Sequence, residues 1–402
     1  MMKYFSIIIF LITGSYFHSQ SIKDNKVSIH YIQLPKKKID QSVTTFFTIY
    51  KDSYNNQNSR QLSVYQFKID SAEAQQQAKI AAWKNIYDSK KENHLLNLST
   101  WKQNAAKGIV TPKPIEPIWP KYPEPYFLFP PILTKAYNDL MTKTISIDGF
   151  SNGNTGIEIE IDNLGLEILS IKGKYTTQNK SYIVTVRYKM PVIIKASYNG
   201  VVLVQKQYHD NVGSYNIYNG KTEYDYELWK RNIQKENKDI WLGLQRKLWN
   251  SAIDNIKSIL NSEIGYPNKK EETEIYVVKK FQEFSYDKLL DALTYAQSGY
   301  AAMSMDRNKS TAKKSLKMAI DIWVKELEEA DLQNKKARIN GKISGLISAN
   351  LADAYFWMED FEKTNYYINK ALSQGNIKAK SHCKKLKNDI PEFRIRYNAF
   401  NQ

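Results

Sequence analysis

Residues 350–372 constrain the fold of this chain most, because their small and apolar side chains recur at helical spacing on both sides of a short turn. The residues that carry the pattern are Leu351, Ala352 and Tyr355 before the turn, Asp360 and Phe361 at the turn, and Ile368 and Ala371 after it. Small residues let two helices cross closely, and large residues interlock beside them. The segment therefore predicts a tightly packed pair of helices.

The spacing in this segment resembles a tetratricopeptide (TPR) repeat, with the best unit over 340–373. A degenerate unit with a longer turn precedes it at 285–335, and a polar-faced helix of the kind that closes such arrays follows it. The sequence departs from the family pattern at Thr364, where alanine or serine is usual, and at Asn376, where proline is frequent.

The resemblance implies a right-handed helical stack whose first helices line a concave groove for a peptide or protein partner. Carried over by position, the partner-binding residues of the better unit are Leu346, Ala349, Asp353, Phe356 and Trp357. We expect Trp357 to anchor the partner and Asp353 to orient it. The alternative for Phe356 and Trp357 is a place in the buried core. Alanine at Asp353 and Trp357 distinguishes the two, since loss of capture at unchanged stability indicates a groove and a large loss of stability indicates a core.

The first nineteen residues have the parts of a secretory signal peptide. Lys3 precedes an apolar run over 5–12, and small residues follow, so that cleavage is expected after Ser15 or Ser19. A buried terminal strand or helix is the alternative. The run is too short to cross a bilayer, which takes about 20 residues, and no later run is long and apolar enough. We therefore expect an exported protein, in the periplasm, on the outer surface or in the medium, similar to secreted bacterial envelope proteins of unknown role.

The remaining patterns predict an α+β chain. Residues 20–220 read as an antiparallel, sandwich-like β region of one or two domains, and residues 221–402 read as an α-helical, TPR-like domain. Period-two alternation is clearest at 157–162, and Asn199 followed by Gly200 predicts a hairpin turn. Residues 62–69 read as a strand because they are rich in β-branched and aromatic side chains. A helical insertion over 71–107 follows, either one helix or a hairpin that breaks in the polar run 88–93.

Eight of the twelve prolines fall in residues 112–131. Proline fixes φ and removes a donor, so this segment is expected to be extended. Its aromatic residues are Trp119, Tyr122, Tyr126, Phe127 and Phe129. Flexible linkers are poor in such residues, so we interpret the segment as a strap packed across the first domain. An exposed proline-rich docking segment is the alternative.

The formal charge of +17 does not indicate a nucleic-acid partner. Only eight of the 58 basic residues are arginines, and the lysines occur as scattered pairs, whereas nucleic-acid sites concentrate charge and favour arginine. We expect at most a weak, salt-sensitive attraction to anionic surfaces. The single cysteine, Cys383, excludes an intramolecular disulfide, and it shares a helical face with Ala379, Leu386 and Ile390, so a buried position is expected.

The residues that catalysis or a metal site would need are not clustered in the sequence. The five histidines are far apart, and neither a Cys–His zinc cluster nor a G-x-S-x-G elbow is present. Glu158, Glu160 and Asp162 share a strand face, but alternate residues lie about 6.5–7 Å apart, too far for one ion. The sequence thus predicts a non-catalytic exported binding or scaffold protein without a cofactor. The alternative is an envelope glycan hydrolase, or a glycan-binding protein, that uses the β region or the strap.

Overall fold

The computed structural model describes residues 21–126, 128, 130–178, 180–226, 228, 238–281, 283–374 and 377–401. The predicted signal peptide therefore lies outside the described residues. The strands are β1 (Ser21–Ile32), β2 (Thr45–Lys51), β3 (Ser151–Asn152), β4 (Ile157–Asn163), β5 (Glu167–Thr176), β6 (Ser181–Lys189), β7 (Val192–Tyr198), β8 (Val201–Tyr208), β9 (Gly213–Gly220) and β10 (Asn268–Lys280). The helices are α1 (Tyr54–Ala106), α2 (Tyr137–Leu140), α3 (Lys238–Glu263), α4 (Asp287–Ala301), α5 (Ser310–Glu328), α6 (Gly341–Trp357), α7 (Phe361–Gln374) and α8 (Ile377–Asn401).

The predicted α+β class is confirmed: sheets in the first half precede a helical stack in the second. Five strands form one sheet in the order β3-β2-β4-β7-β8, and β5, β6 and β9 form an antiparallel sheet. The strand β2 runs parallel to both β3 and β4, so the larger sheet is mixed. A parallel pair needs a long crossover, which here consists of α1 and the strap.

Local patterning correctly predicted strands in the larger sheet. In β4 the side chains of Ile157, Ile159 and Ile161 are fully buried, while the three acidic residues between them are half-buried. One of these, Glu160, pairs with Lys51 at 2.8 Å. Asn199 and Gly200 have φ angles of 48° and 77° and join β7 to β8, so the predicted hairpin is confirmed.

Helix α3 packs on the larger sheet. Its Trp249, Ile253 and Ile256 are fully buried in the cluster that includes Ile159 and Ile161, here called the sheet core. The predicted boundary at residue 220 stays a prediction, but α3 packs on β7 and β8 of the β region that precedes it, and its last turn also contacts Arg396 on α8.

A two-stranded antiparallel ribbon pairs β1, the first described strand, with β10, which directly precedes the helical stack. Residues Ser21 and Lys280 lie at one end of the ribbon, and Ile32 and Asn268 lie at the other. One face packs on the helical stack, where its apolar side chains and those of α4–α8 form the second cluster, here called the ribbon core. This pairing has no local signal, because the two strands are separated by more than half of the chain.

The helix pairs expected from the repeat-like spacing are present as α4–α5 and α6–α7. Ala312, Ala319, Thr364 and Ala371 are fully buried where the helices meet, as close helix crossing requires. Asp360 ends the turn between α6 and α7 and accepts a hydrogen bond from the backbone N–H of Lys363 at 3.0 Å. Helix α8 follows and buries the predicted face of Cys383.

Helix α1 is a single arm of 53 residues, roughly 80 Å long. It begins at Tyr54, so the predicted strand over 62–69 is wrong, the predicted start at residue 71 is too late, and no break occurs at 88–93. A helix satisfies its own backbone hydrogen bonds, whereas a strand at 62–69 would need a neighbouring strand. Half-buried residues such as Tyr65, Ile69 and Ile80 follow the helical period.

The strap runs back along α1 without regular secondary structure. Three side chains of the helix donate hydrogen bonds to backbone carbonyls of the strap. The pairs are Trp101 Nε1 with Thr111 at 2.9 Å, Lys90 Nζ with Ile118 at 2.8 Å, and Trp83 Nε1 with Pro120 at 2.9 Å. The strap therefore packs on one face of the arm. Among the described helices, none contains a segment long and apolar enough to cross a membrane.

Candidate functional site

The five residues predicted to line a groove all lie on α6, and all five side chains are buried. Their exposed fractions are 1% for Leu346, 0% for Ala349, 2% for Asp353, 2% for Phe356 and 4% for Trp357. The face of α6 that would be open in a groove is covered by the chain's own ribbon. Asn350 shows the contact most directly, because its side-chain amide pairs with both the N–H and the carbonyl of Tyr276 on β10, at 2.8 Å each.

Asp353 holds three elements against α6. Its carboxylate accepts hydrogen bonds from the Thr273 hydroxyl on β10 at 2.7 Å and from the Tyr300 hydroxyl on α4. His382 Nε2 on α8 lies 3.1 Å from the same carboxylate. Burial and the adjacent carboxylate raise the pKa of Tyr300 far above its ordinary value, which keeps this hydroxyl a donor. Asp353 is thus a structural junction as well as a residue beside the cavity described next.

Trp357 and Phe356 belong to an aromatic cluster. The ring of Tyr31 on β1 meets Trp357 edge-on with 4.9 Å between centroids, and Phe393 on α8 lies 4.6 Å from Phe356. The buried Lys309 places its ammonium 5.9 Å from the centre of the Trp357 ring. These contacts tie α6 to the ribbon and to α8, as expected for the core alternative, although the two aromatic residues also reach a cavity.

A cavity of about 200 Å³ lies between α6, α8 and the ribbon; we call it the ribbon pocket. It is lined by Tyr31, Gln33, Glu271, Glu272, Thr273, Asp353, Phe356, Trp357, His382, Lys385, Leu386, Asp389, Glu392 and Phe393. Three of the five predicted residues are in this set, whereas Leu346 and Ala349 are not. The structure therefore brings Asp353, Phe356 and Trp357 together at one cavity.

The ribbon pocket is acidic within a basic chain. Five carboxylates line it, against one lysine and one histidine. Most of the carboxylates have partners, since Lys385 pairs with Glu271 at 3.2 Å and Arg396 pairs with Glu392 at 2.7 Å. The wall therefore combines aromatic rings with an excess of negative charge.

Glu272, which is exposed, and Asp389 have no such partner among the described residues. Asp389 is the exception among the carboxylates of this wall that are buried or half-buried. It is half-buried on α8, and the described residues offer its carboxylate no hydrogen bond or ion pair. Burial raises the pKa of Asp389, Lys385 opposes that shift, and Glu271 and Glu392 add to it. The charged form of a carboxylate in this position is disfavoured, because it loses part of its water without gaining a donor from the described residues.

The lining residues contributed by the ribbon and by α8 were missed by sequence reasoning. Tyr31 and Thr273 lie on strands that meet only in the tertiary structure, so the sequence has no local signal for them. His382 was set aside because no other histidine is near it in the sequence, yet its partner Asp353 lies across the helical stack. For Asp389 the sequence did contain a signal. This charged residue directly precedes Ile390, which belongs to the predicted buried face of α8.

Metal-binding groups and the thiol of Cys383 bear on what chemistry the described residues could perform near the pocket. No group of three or more His, Cys, Asp or Glu side chains among them is arranged to hold a metal ion. Burial, with a smaller effect from Asp353, raises the pKa of Cys383 to about 12, so this thiol stays protonated at neutral pH and is a poor nucleophile.

Two aromatic rings of the strap, on which the glycan alternative depends, pack against the arm, whereas Phe127 and Phe129 lie outside the described residues. The ring centroids of Tyr122 and Trp83 lie 5.0 Å apart, and those of Trp119 and Tyr87 also lie 5.0 Å apart. A wider opening of about 640 Å³ lies where α1 leaves the body, between Tyr65, the end of the strap and Ile168. None of the predicted partner-binding residues lines that opening.

Comparison with known proteins gives no counterpart for this arrangement. The resemblance of residues 340–373 to a TPR unit therefore stays a prediction. No family model matches the chain, and no curated protein or solved structure matches it either.

Proposed function

We propose that this chain is a non-catalytic exported binding or scaffold protein that holds a peptide or protein partner at its helical end, with the ribbon pocket as the contact site. The observation that carries the proposal is the half-buried carboxylate of Asp389, which has no partner in the described residues at a cavity with aromatic walls. Partial burial of a charge that has no donor nearby is compatible with a site whose partner comes from another molecule.

The position of the pocket supports this proposal. Its walls belong to α6, α8 and the ribbon, which share one hydrophobic core. Side chains on such packed elements are held in place before binding, so a partner loses less free energy to the ordering of the site. The site is narrower than the predicted groove, because Leu346 and Ala349 are buried and do not line the pocket.

The proposed export is compatible with this site. Strand β1 begins at Ser21, after both predicted cleavage positions, Ser15 and Ser19. Removal of the signal peptide would thus leave the ribbon complete, including Tyr31 at the pocket wall. The experiment below accordingly uses a chain that begins at Gln20.

Affinity capture from an envelope extract tests the proposal. The bait is the chain from Gln20 onward, compared with the variant Asp389→Asn and with a matched control, Glu362→Gln. The control makes the same charge change at an exposed carboxylate on α7 that does not line the pocket. We expect one partner to be retained by the wild type and the control, and lost by the folded Asp389→Asn variant. Capture of nothing, or of the same proteins by all three baits, would contradict the proposal.

A further inference from the structure

The size of the ribbon pocket limits its occupant. Cavities that hold drug-sized ligands measure about 300–1,000 Å³, whereas this pocket measures about 200 Å³. One extended side chain fits that scale, but a folded segment does not. A partner would therefore insert a single residue while the rest of its chain stays outside.

The charge of the pocket selects the sign of that residue. The carboxylate of Asp389 has no donor among the described residues, and Glu271 and Glu392 add negative charge to its surroundings. An anionic side chain would add to the repulsion among these carboxylates, and a neutral side chain would leave the charge of Asp389 uncompensated. A cation would supply the missing donor and relieve the cost of burying the carboxylate.

The aromatic walls distinguish between the two cationic side chains. Tyr31, Phe356, Trp357 and Phe393 contribute rings to the lining. A guanidinium group is planar and weakly hydrated, stacks on rings, and donates two parallel hydrogen bonds to one carboxylate. An ammonium group is compact and strongly hydrated, so it would lose more by leaving water.

We infer that the ribbon pocket binds one arginine side chain of the partner polypeptide, with its guanidinium group on Asp389 and its stem against the aromatic wall. This inference rests on the proposed function and adds the chemistry of the group that is bound. The excess of negative charge at the pocket also contrasts with the overall charge of +17, which would repel a generally basic partner. The arginine is thus expected in a partner that is otherwise neutral or acidic.

Calorimetric titration with two peptides tests the inference. The first probe is an acetylated, amidated pentapeptide with arginine between two pairs of glycines, and the second carries citrulline, a neutral isostere, at the same place. We expect the arginine peptide to bind the chain from Gln20 onward saturably, and the citrulline peptide to bind about tenfold more weakly or worse, because a hydrogen bond to a charged group is lost. The variant Asp389→Asn should weaken the arginine peptide by a similar factor, and Glu362→Gln should leave its affinity unchanged.

The variant Asp389→Asn is expected to fold. Because burial raises the pKa of Asp389, the charged form opposes folding once the pH exceeds the ordinary carboxyl pKa. The amide should therefore unfold at the same temperature as the wild type or slightly higher at neutral pH, with the difference vanishing in acid. A lower unfolding temperature would mean that Asp389 has a structural partner, and would overturn the inference.

The remaining outcomes separate the inference from the proposed function. Equal affinity for the two peptides, or equal affinity of the wild type and Asp389→Asn for arginine, would overturn the arginine assignment. If neither peptide binds while the envelope partner is still captured through the pocket, the arginine assignment is wrong and the proposed function is retained. If neither the peptides nor an envelope partner bind, the arginine assignment and the proposed function are both wrong.

Discussion

The helical end and the arm contain similar aromatic residues, but the helical end buries them in a core and the arm leaves one side of its helix in water. Both contain tryptophan, tyrosine and phenylalanine at helical spacing, and both pair a helix with an extended segment. At the helical end Trp357 is 4% exposed, because α8 and the ribbon add further layers to α6. In the arm only the strap covers α1, so Phe67 on the uncovered side is 75% exposed.

This comparison teaches that helical spacing determines which side chains share a face, while the number of layers determines whether that face becomes a core. The helical end closes its core, and at the ribbon pocket it leaves a carboxylate, Asp389, that has no partner among the described residues. The arm has an exposed side along its length, and its stability depends on hydrogen bonds from α1 side chains to the strap. Four substitutions should separate the closed core of the helical end from the one-sided packing of the arm, and they are given in order of decreasing effect.

The variant Trp357→Ala should lose about 3–5 kcal/mol of unfolding free energy, the usual cost of removing a large buried aromatic side chain. It also removes the edge contact with Tyr31 that holds the ribbon on α6. Urea denaturation of the chain from Gln20 onward measures the loss. Phe67→Ala on the arm is the matched control and should change the free energy by less than about 0.5 kcal/mol. Equal effects at the two sites would remove the distinction between core and arm.

The variant Asp353→Ala should cost about 1–3 kcal/mol, because it leaves buried donors without an acceptor. Those donors are the hydroxyls of Thr273 and Tyr300. The same denaturation experiment measures the effect, with Thr273→Val as a milder comparison that removes one donor and keeps the carboxylate. If the Asp353→Ala variant kept wild-type stability but no longer bound the partner, Asp353 would have the role predicted from the sequence, which is to orient a partner.

The variant Trp83→Ala should release the strap without unfolding the body. It removes the hydrogen bond to Pro120 and the ring contact with Tyr122, worth together about 1–3 kcal/mol of local stability. Trypsin cleavage after Lys121 in the strap should become roughly tenfold faster or more, while the urea midpoint of the body stays the same. The control is again Phe67→Ala, on the uncovered side of α1. A lower midpoint would show that the arm and the body unfold together.

The smallest effect is expected for Lys121→Ala. The ion pair between Lys121 and Glu124 measures 2.6 Å, but both side chains are largely in water. Such pairs contribute little after solvent screening. The unfolding temperature should not change measurably, and neither should chymotrypsin cleavage after Tyr126 in the strap. Faster cleavage at that site would mean that charge pairing helps to hold the strap.

Local pattern was sufficient for much of the fold. Alternation over 157–162 correctly indicated β4 and its buried face, and Asn199 with Gly200 correctly indicated the hairpin. It failed at 62–69, where β-branched residues suggested a strand, because no neighbouring strand exists there and the helix that starts at Tyr54 continues through the segment. For the candidate site, the sequence brought out Asp353, Phe356 and Trp357 but placed them in an open groove.

Residue spacing alone indicated a period of two in the sheet strands, a period of 3.6 in the helices, and small residues where α6 and α7 cross. The pairing of β1 with β10, the contact of this ribbon with α6, and the lack of a partner for Asp389 among the described residues emerged only from the tertiary structure. The physical reason is that a period depends on neighbours a few residues away, which the sequence shows directly. Pairing of distant strands depends on which hydrophobic faces remain to be covered after local structure has formed, and that is a property of the whole chain.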